Sequence, residues 1–242
     1  MTFKVIIPAR MASTRLPGKM LLDIAGKPLL QHVYLAAGQS KAEQILIATD
    51  DQIIFNTART FGAECIMTSS AHTSGTDRLA EVIDKLGFAD ETIIVNVQGD
   101  EMGMPPALIN QVAGLLINQA AGKMATLCEP IRNEHDIKDP NVVKVVFNGN
   151  KQALYFSRAA IPWHKQGLNE KYYRHIGLYA YRAAFLSEFS RMPGCELEQK
   201  ESLEQLRALY YGATILIDEA CAQCGIGIDT AADLKRAREL FF

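Results

Sequence analysis

The stretch IIPARMASTRLPGKML, residues 6–21, decides how this chain is read. The apolar run that enters it, Val5-Ile6-Ile7, is short and β-branched and stops at Pro8, as a buried strand does where it leaves its sheet. Behind it come Arg10, Arg15 and Lys19 among the small residues Ala9, Ala12, Ser13 and Thr14, with no acid before Asp23. Ligands of open α/β sheets sit beyond the carboxyl ends of the strands. Small residues there let a ligand reach backbone N–H groups, which can point at phosphate oxygens. Arg10 and Arg15 can each fork onto phosphate, and Lys19 adds a compact charge. A nucleoside triphosphate suits such a cradle. The loop is not a Walker A motif, because Ser13 and Met20 stand where that pattern needs Gly and Ser or Thr. Nor does a GxGxxG fingerprint follow the strand. Taken alone, a solvated basic turn remains the competing reading.

Outward from this loop the chain alternates. Apolar, β-rich runs occur at 3–7, 44–49, 92–98, 123–129, 142–147, 153–157, 176–181 and 213–218. Segments of helical period lie at roughly 28–39, 51–62, 76–87, 106–119, 201–211 and 231–241. The β-α alternation of the first half predicts a mostly parallel sheet flanked by helices. The second half has strand runs without long helices between them, which predicts antiparallel additions or a subdomain around 123–182. No repeat or linker interrupts the chain, so residues 1–242 are read as one domain. The polar and aromatic segment 160–175 is read as a loop at a site mouth or a partner surface.

The 242 residues are ample for a core without disulfides. Apolar residues make up 48% and charged residues 21%, and the net charge is −2, which argues against a general nucleic-acid binder. No window approaches the roughly 20 apolar residues of a membrane span, and the first residues do not read as a signal peptide. The five cysteines, Cys65, Cys128, Cys195, Cys221 and Cys224, are odd in number and scattered. They are read as reduced thiols of a cytoplasmic protein. The pair Cys221 and Cys224 supplies two ligands where a structural zinc site wants four.

Two acidic turns complete the pattern. TIIVNVQGD, residues 92–100, ends a strand on Asp100, at the same kind of sheet edge as the basic loop. An aspartate there suits Mg²⁺, a hard cation held by a few carboxylates and by substrate phosphates. Late in the chain, GIGIDTAADLKRA places Asp229 before a helix, with Thr230 as N-cap and Asp233 three residues on. Its glycines permit close backbone approach. Spacing alone does not bring Asp229 to Asp100.

These pieces, with HTSGTDRLAE (72–81), NVQGDE (96–101), LYFSRAAIPW (154–163), RHIGLYAYR (174–182), LEQLR (203–207) and GIDTAADL (227–234), run in order over nearly the whole chain. Together they resemble the 3-deoxy-manno-octulosonate (Kdo) cytidylyltransferases. The resemblance implies a nucleotide-diphospho-sugar transferase fold, a Rossmann-like mixed sheet. It implies that CTP and Kdo give CMP-Kdo and pyrophosphate, with Mg²⁺, for lipopolysaccharide synthesis in a homodimer. On matching positions it implies Arg10, Arg15 and Lys19 on the triphosphate and Pro8 and Ala9 near the base. Ser74, Asp77 and Arg78 would stand beside the nucleotide. Gln98, Arg158, His175, Tyr179, Glu204 and Gln205 would receive the sugar, and Asp100 and Asp229 the metal. Lys19, Asp100 and Asp229 would be the catalytic set.

The chain departs from the pattern in two places. Met102-Gly103-Met104-Pro105 replaces a turn richer in proline, and Ala231 stands where the helix usually opens on Pro. The first departure is expected to loosen the turn beside Asp100. It keeps open an 8-amino Kdo substrate, or a relative that binds CTP without catalysis. A CMP-sialic acid synthetase shares the style of basic loop, but LYFSR, RHIGLYAY and LEQLR resemble the Kdo branch.

Overall fold

In the computed structural model, which describes residues 2–13, 15–165 and 171–240 (of Ile226, the backbone alone), strand β1 (Phe3–Ala9) is buried along nearly all its length. Phe3, Val5, Ile7 and Ala9 join one apolar cluster and Ile6 the other. That division is the period-two alternation of a strand covered on both faces.

After β1 come a 3-10 turn (Lys19–Leu21), a hairpin of β2 (Asp23–Ile24) and β3 (Lys27–Pro28), and helix α1 (Leu29–Ala37). Then β4 (Gln44–Thr49), α2 (Gln52–Thr60), β5 (Glu64–Met67), α3 (Gly75–Leu86) and β6 (Ile93–Asn96) alternate. β1 pairs with β4 and with β6, and β4 with β5, all in parallel. The second half supplies β7 (Glu101–Met102), α4 (Pro106–Asn118), β8 (Met124–Pro130), α5 (Glu134–Lys138), β9 (Lys144–Phe147) and β10 (Ala153–Ser157). It ends with β11 (Tyr173–Arg182), α6 (Ala183–Arg191), α7 (Glu196–Glu201), α8 (Gln205–Tyr210), β12 (Ile215–Glu219), β13 (Ile226–Gly227) and α9 (Ala231–Glu239).

β11 lies antiparallel between β6 and β8, and β12 extends β8 in parallel. The register of β11 against β8 shifts between Ile176 and Tyr179. Such a bulge turns the strand, so its first half meets β9 while its second half meets β6. β9 and β10 form an antiparallel pair at that edge. The nine-stranded sheet is therefore mixed and mostly parallel, with α1, α2, α4 and α9 on one face and α3, α6 and α8 on the other. Residues 123–182 contribute β8 to β11 to this same sheet.

The expected α/β architecture holds, with differences of detail. β5, ECIM, is a short, half-exposed edge strand, and no apolar run announces it. The expected helix 201–211 is two helices, broken at Ser202 in the left-handed region (φ 51°). α5 and α6 lie in stretches where the sequence reading places no helix. Of the segment 160–175, residues 161–165 have no regular structure, 166–170 lie outside the described residues, and β11 begins at Tyr173. The cap of α9 is as expected: the Asp233 N–H donates to Thr230 Oγ1 (3.2 Å) and the Thr230 N–H to Asp233 Oδ2 (3.0 Å).

Candidate active site

β1 and β6 are parallel neighbours, so the loops at their carboxyl ends meet. The turn after β6 passes close over the end of β1. A Cβ at Gly99 would lie 2.8 Å from the Pro8 carbonyl oxygen and 2.9 Å from Met20 Sδ. Only glycine fits there, and it sets Asp100 over the basic loop.

Asp229 arrives by a two-stranded ladder. β13 pairs with β7, Ile226 opposite Met102 and Gly227 opposite Glu101, and the Ile228 N–H donates to the Asp100 carbonyl (2.9 Å). A Cβ at Gly225 would lie 2.5 Å from the Met102 carbonyl oxygen, so this approach again needs glycine. The Met102-Gly103-Met104 turn fits the same ladder. Gly103 takes φ +72°, where a side chain is strained, and both methionines are buried.

On this frame the predicted charges converge. Lys19 is only 8% exposed. Its ammonium donates to Asp100 Oδ2 and to Asp229 Oδ1 (3.0 Å). Arg15 pairs with the same Asp229 oxygen at 2.9 Å. Burial opposes the charge on Lys19, but the two carboxylates outweigh it and raise its pKa above the ordinary lysine value. The Glu101 pKa is raised as well, toward its neutral form: burial, then the Asp100 and Asp229 charges, lift it to about 7. The two aspartates close on a single cationic point with hard oxygen donors, as Mg²⁺ requires. No third His, Cys, Asp or Glu joins them in a metal-holding group among the described residues. The set fits a cation whose other ligands are phosphate oxygens and water.

A cavity of about 520 Å³ opens over this cluster. Of the residues singled out from the sequence it is lined by Pro8, Ala9, Arg10, Arg15, Lys19, Ser74, Arg78, Gln98, Asp100 and Asp229. Asp77 is not on its wall; its N–H donates to Ser74 Oγ (3.1 Å) in the cap of α3. Arg78 reaches the wall, but its guanidinium is held by Thr68 Oγ1 and by Asp50 Oδ2 (3.0 Å) and is 3% exposed. Sequence reading passed over His72 as a wall residue, although it opens the HTSGTDR motif. Its Nε2 meets Glu81, a carboxylate that Lys85, the Ser69 N–H and His72 hold at a pKa of about 2 against the effect of burial.

Of the residues grouped for the sugar, Gln98 lines this cavity and the other five do not. His175, Tyr179, Glu204 and Gln205 sit together between β11 and α8, behind the cavity wall. His175 is half-buried as a residue, its ring 5.2 Å from that of Tyr179, and desolvation of the imidazole drops its pKa to about 3, so it is neutral. Glu204 Oε2 accepts from Thr76 Oγ1 at 2.6 Å, and Ser74 of the cavity wall also bonds it. Burial nevertheless raises the pKa of Glu204. Four buried polar atoms here have no hydrogen-bond partner among the described residues: Tyr179 Oη, Glu204 Oε1 (3.7 Å from Arg207 Nη2), Gln205 Nε2 and Asn96 Oδ1. Asn96, not singled out from the sequence, is directly opposite Tyr179 across the β6–β11 ladder. Arg158 is not on the cavity wall. Its Nε donates to the Glu201 carbonyl (2.7 Å) and its Nη1 to the Pro140 carbonyl (2.9 Å).

The chain matches the cytidylyltransferase family over residues 4–215. It is 52% identical to the 3-deoxy-manno-octulosonate cytidylyltransferase of Cellvibrio japonicus, over 99% of this chain and 98% of that one. It is 50% identical to the enzyme of the same name from Francisella tularensis subsp. novicida, over 98% and 97%. Among solved structures it superposes on a CMP:2-keto-3-deoxy-manno-octonic acid synthetase complexed with CTP, with a TM-score of 0.94 and 42% identity over 100% and 98% of the two chains. A glucose-1-phosphate thymidylyltransferase from Bacillus anthracis shares the fold, with a TM-score of 0.68 and 18% identity over 99% and 95%.

Proposed function

We propose, from the premise that this chain belongs to the 3-deoxy-manno-octulosonate cytidylyltransferases, that it joins CTP to Kdo, giving CMP-Kdo and pyrophosphate. The observation that carries this reading is the cavity at the ends of β1 and β6, where Arg10, Arg15 and Lys19 face Asp100 and Asp229. Arg10 and Arg15 bind the triphosphate and offset the charge that grows on the departing pyrophosphate. Lys19 adds a third positive charge beside the reacting phosphate. Pro8, Ala9 and Ser74 border the base, and Gln98 faces both substrates. Asp100 and Asp229 would hold Mg²⁺, which supplies charge neutralisation at phosphate oxygens. The sugar is received on the side of Tyr179, Glu204 and Gln205, whose unpartnered polar atoms its hydroxyls satisfy. His175 is neutral and packed between rings, so it shapes that pocket and moves no proton.

The protein acts in the cytoplasm, where CTP is available, and as a homodimer. Leu154 on β10 (58% exposed) and Trp163 in the loop after it (82% exposed) support a partner surface at that edge. No helix among the described residues is long and apolar enough to cross a membrane.

The test is pyrophosphate release from CTP and Mg²⁺ with Kdo, 8-amino Kdo or sialic acid supplied in parallel. Release with Kdo is expected. Release with 8-amino Kdo alone would move the substrate to that sugar. No release with any of the three, from protein that binds CTP, would overturn the catalytic reading.

A further inference from the structure

The two acids assigned to the cation already pair with a cation of the chain itself. Lys19 Nζ lies between Asp100 Oδ2 and Asp229 Oδ1, with Arg15 on the same Asp229 oxygen. Two positive side chains thus balance two negative ones. The ammonium is nearly buried and aimed at the point on which both carboxylates converge. No third acidic or soft ligand joins them in a metal-holding group among the described residues. A divalent cation entering this arrangement must displace a hydrogen-bonded lysine and gains only two protein oxygens. The triphosphate changes both terms. It offers Lys19 and Arg15 a stronger anion, and it brings its own oxygens to the cation.

We infer that Lys19 is the place-holder of the cation site and sets the order of binding: a divalent cation is held weakly until nucleotide draws Lys19 and Arg15 away from Asp229 and Asp100. Lys19 is then a phosphate ligand in the loaded site and a competitor of the metal in the empty one. Binding linkage makes the effect reciprocal, since nucleotide and cation must raise each other's affinity by the same factor. The inference rests on the assignment of Asp100 and Asp229 made above.

Manganese binding to nucleotide-free protein, read by electron paramagnetic resonance, tests it without turnover. Wild type and Lys19→Arg, which both keep a positive head group between the acids, are expected to bind Mn²⁺ weakly. Lys19→Met should bind it about tenfold more tightly or better, within the usual span of coupling between sites. Unchanged or weaker Mn²⁺ binding by folded Lys19→Met would overturn the inference. Should that variant fail to fold, the wild-type protein decides. The ¹⁵N signal of the Lys19 ammonium, identified by its absence in Lys19→Arg, should stay in place with Mg²⁺ alone and move with Mg²⁺ and CTP together. Movement with Mg²⁺ alone at the same concentration would sink the idea. Pyrophosphate release by wild type, measured separately, reports on the functional reading and not on this one.

Discussion

The hydroxyl of Thr76 donates to Glu204 Oε2 across 2.6 Å, tying the first turn of α3 to the residue that opens α8. The bond joins the two halves of the site, because α3 begins at Ser74 on the cavity wall while α8 carries Gln205 beside Tyr179. Thr76→Val keeps the shape and removes the donor. A buried carboxylate oxygen that loses a partner costs about 1–3 kcal/mol. The expected outcome is a loss of that order in denaturant unfolding, with a rise in KM for the sugar and little change in KM for CTP. An equal rise in both would show that the contact serves the fold and not the sugar side.

The four polar atoms without partners predict the opposite balance. An unsatisfied buried hydroxyl contributes nothing to stability, so its removal should cost less than an ordinary buried tyrosine hydroxyl does. Tyr179→Phe should leave stability within about 1 kcal/mol of wild type, or raise it. Sugar KM should rise about tenfold, the equivalent of one lost hydrogen bond in binding. Asn96→Leu should behave alike, since its Oδ1 is equally unpartnered and lies on the same sheet face. Thermal melting beside KM for each substrate checks this. Marked destabilisation of either variant would mean that the atom has a structural partner.

Much of this was legible from residue pattern because the pattern follows simple forces. β1, β4 and β6 are largely buried runs that β-branched residues favour, and α9 announces itself through Thr230 and Asp233. The meeting of Lys19 with Asp100 follows from parallel neighbours presenting their carboxyl ends together. What was not legible depends on tertiary pairing. The ladder of β7 with β13 is two residues long, too short for any periodicity, yet with the Ile228 N–H bond to the Asp100 carbonyl it brings Asp229 to Asp100. Arg78 and Arg158 look like free cations in sequence, but in the fold they spend their donors on Asp50 and on main-chain carbonyls. Asn96 hides inside an apolar run, and only its unpartnered Oδ1 marks it.

Arg78 supplies a stability prediction. It is 3% exposed and pairs with Asp50, which the sequence places at the end of β4. Arg78→Met leaves Asp50 without its cation and Thr68 without its donor. Breaking a buried pair from one side costs about 3–5 kcal/mol. Asp50 is partly exposed, so water offsets part of this, and a loss of about 2–3 kcal/mol in urea unfolding is expected. A loss under about 1 kcal/mol, with a large fall in CTP affinity, would instead make Arg78 a nucleotide ligand first.

Glu101 makes stability depend on pH. Burial first, then the Asp100 and Asp229 charges, raise its pKa from 4.5 to about 7. A carboxyl group whose pKa is raised by folding favours the folded state while protonated. That contribution is complete below the unfolded value near 4.5 and is lost as pH rises through about 7. Glu101→Gln keeps a neutral group at every pH and escapes the loss. With metal chelated and nucleotide absent, the variant and wild type should melt together near pH 4.5. Above pH 7 the variant should be more stable by roughly 1–3 kcal/mol, a few degrees in melting temperature for a chain of this size. Lys19 and Arg174 oppose the shift, so loss of the Lys19 charge should widen the gap between Glu101→Gln and its parent. A melting difference that stays constant from pH 4.5 to 8 would show that folding leaves the Glu101 pKa unshifted, the Arg174 and Lys19 charges offsetting burial and the two aspartates.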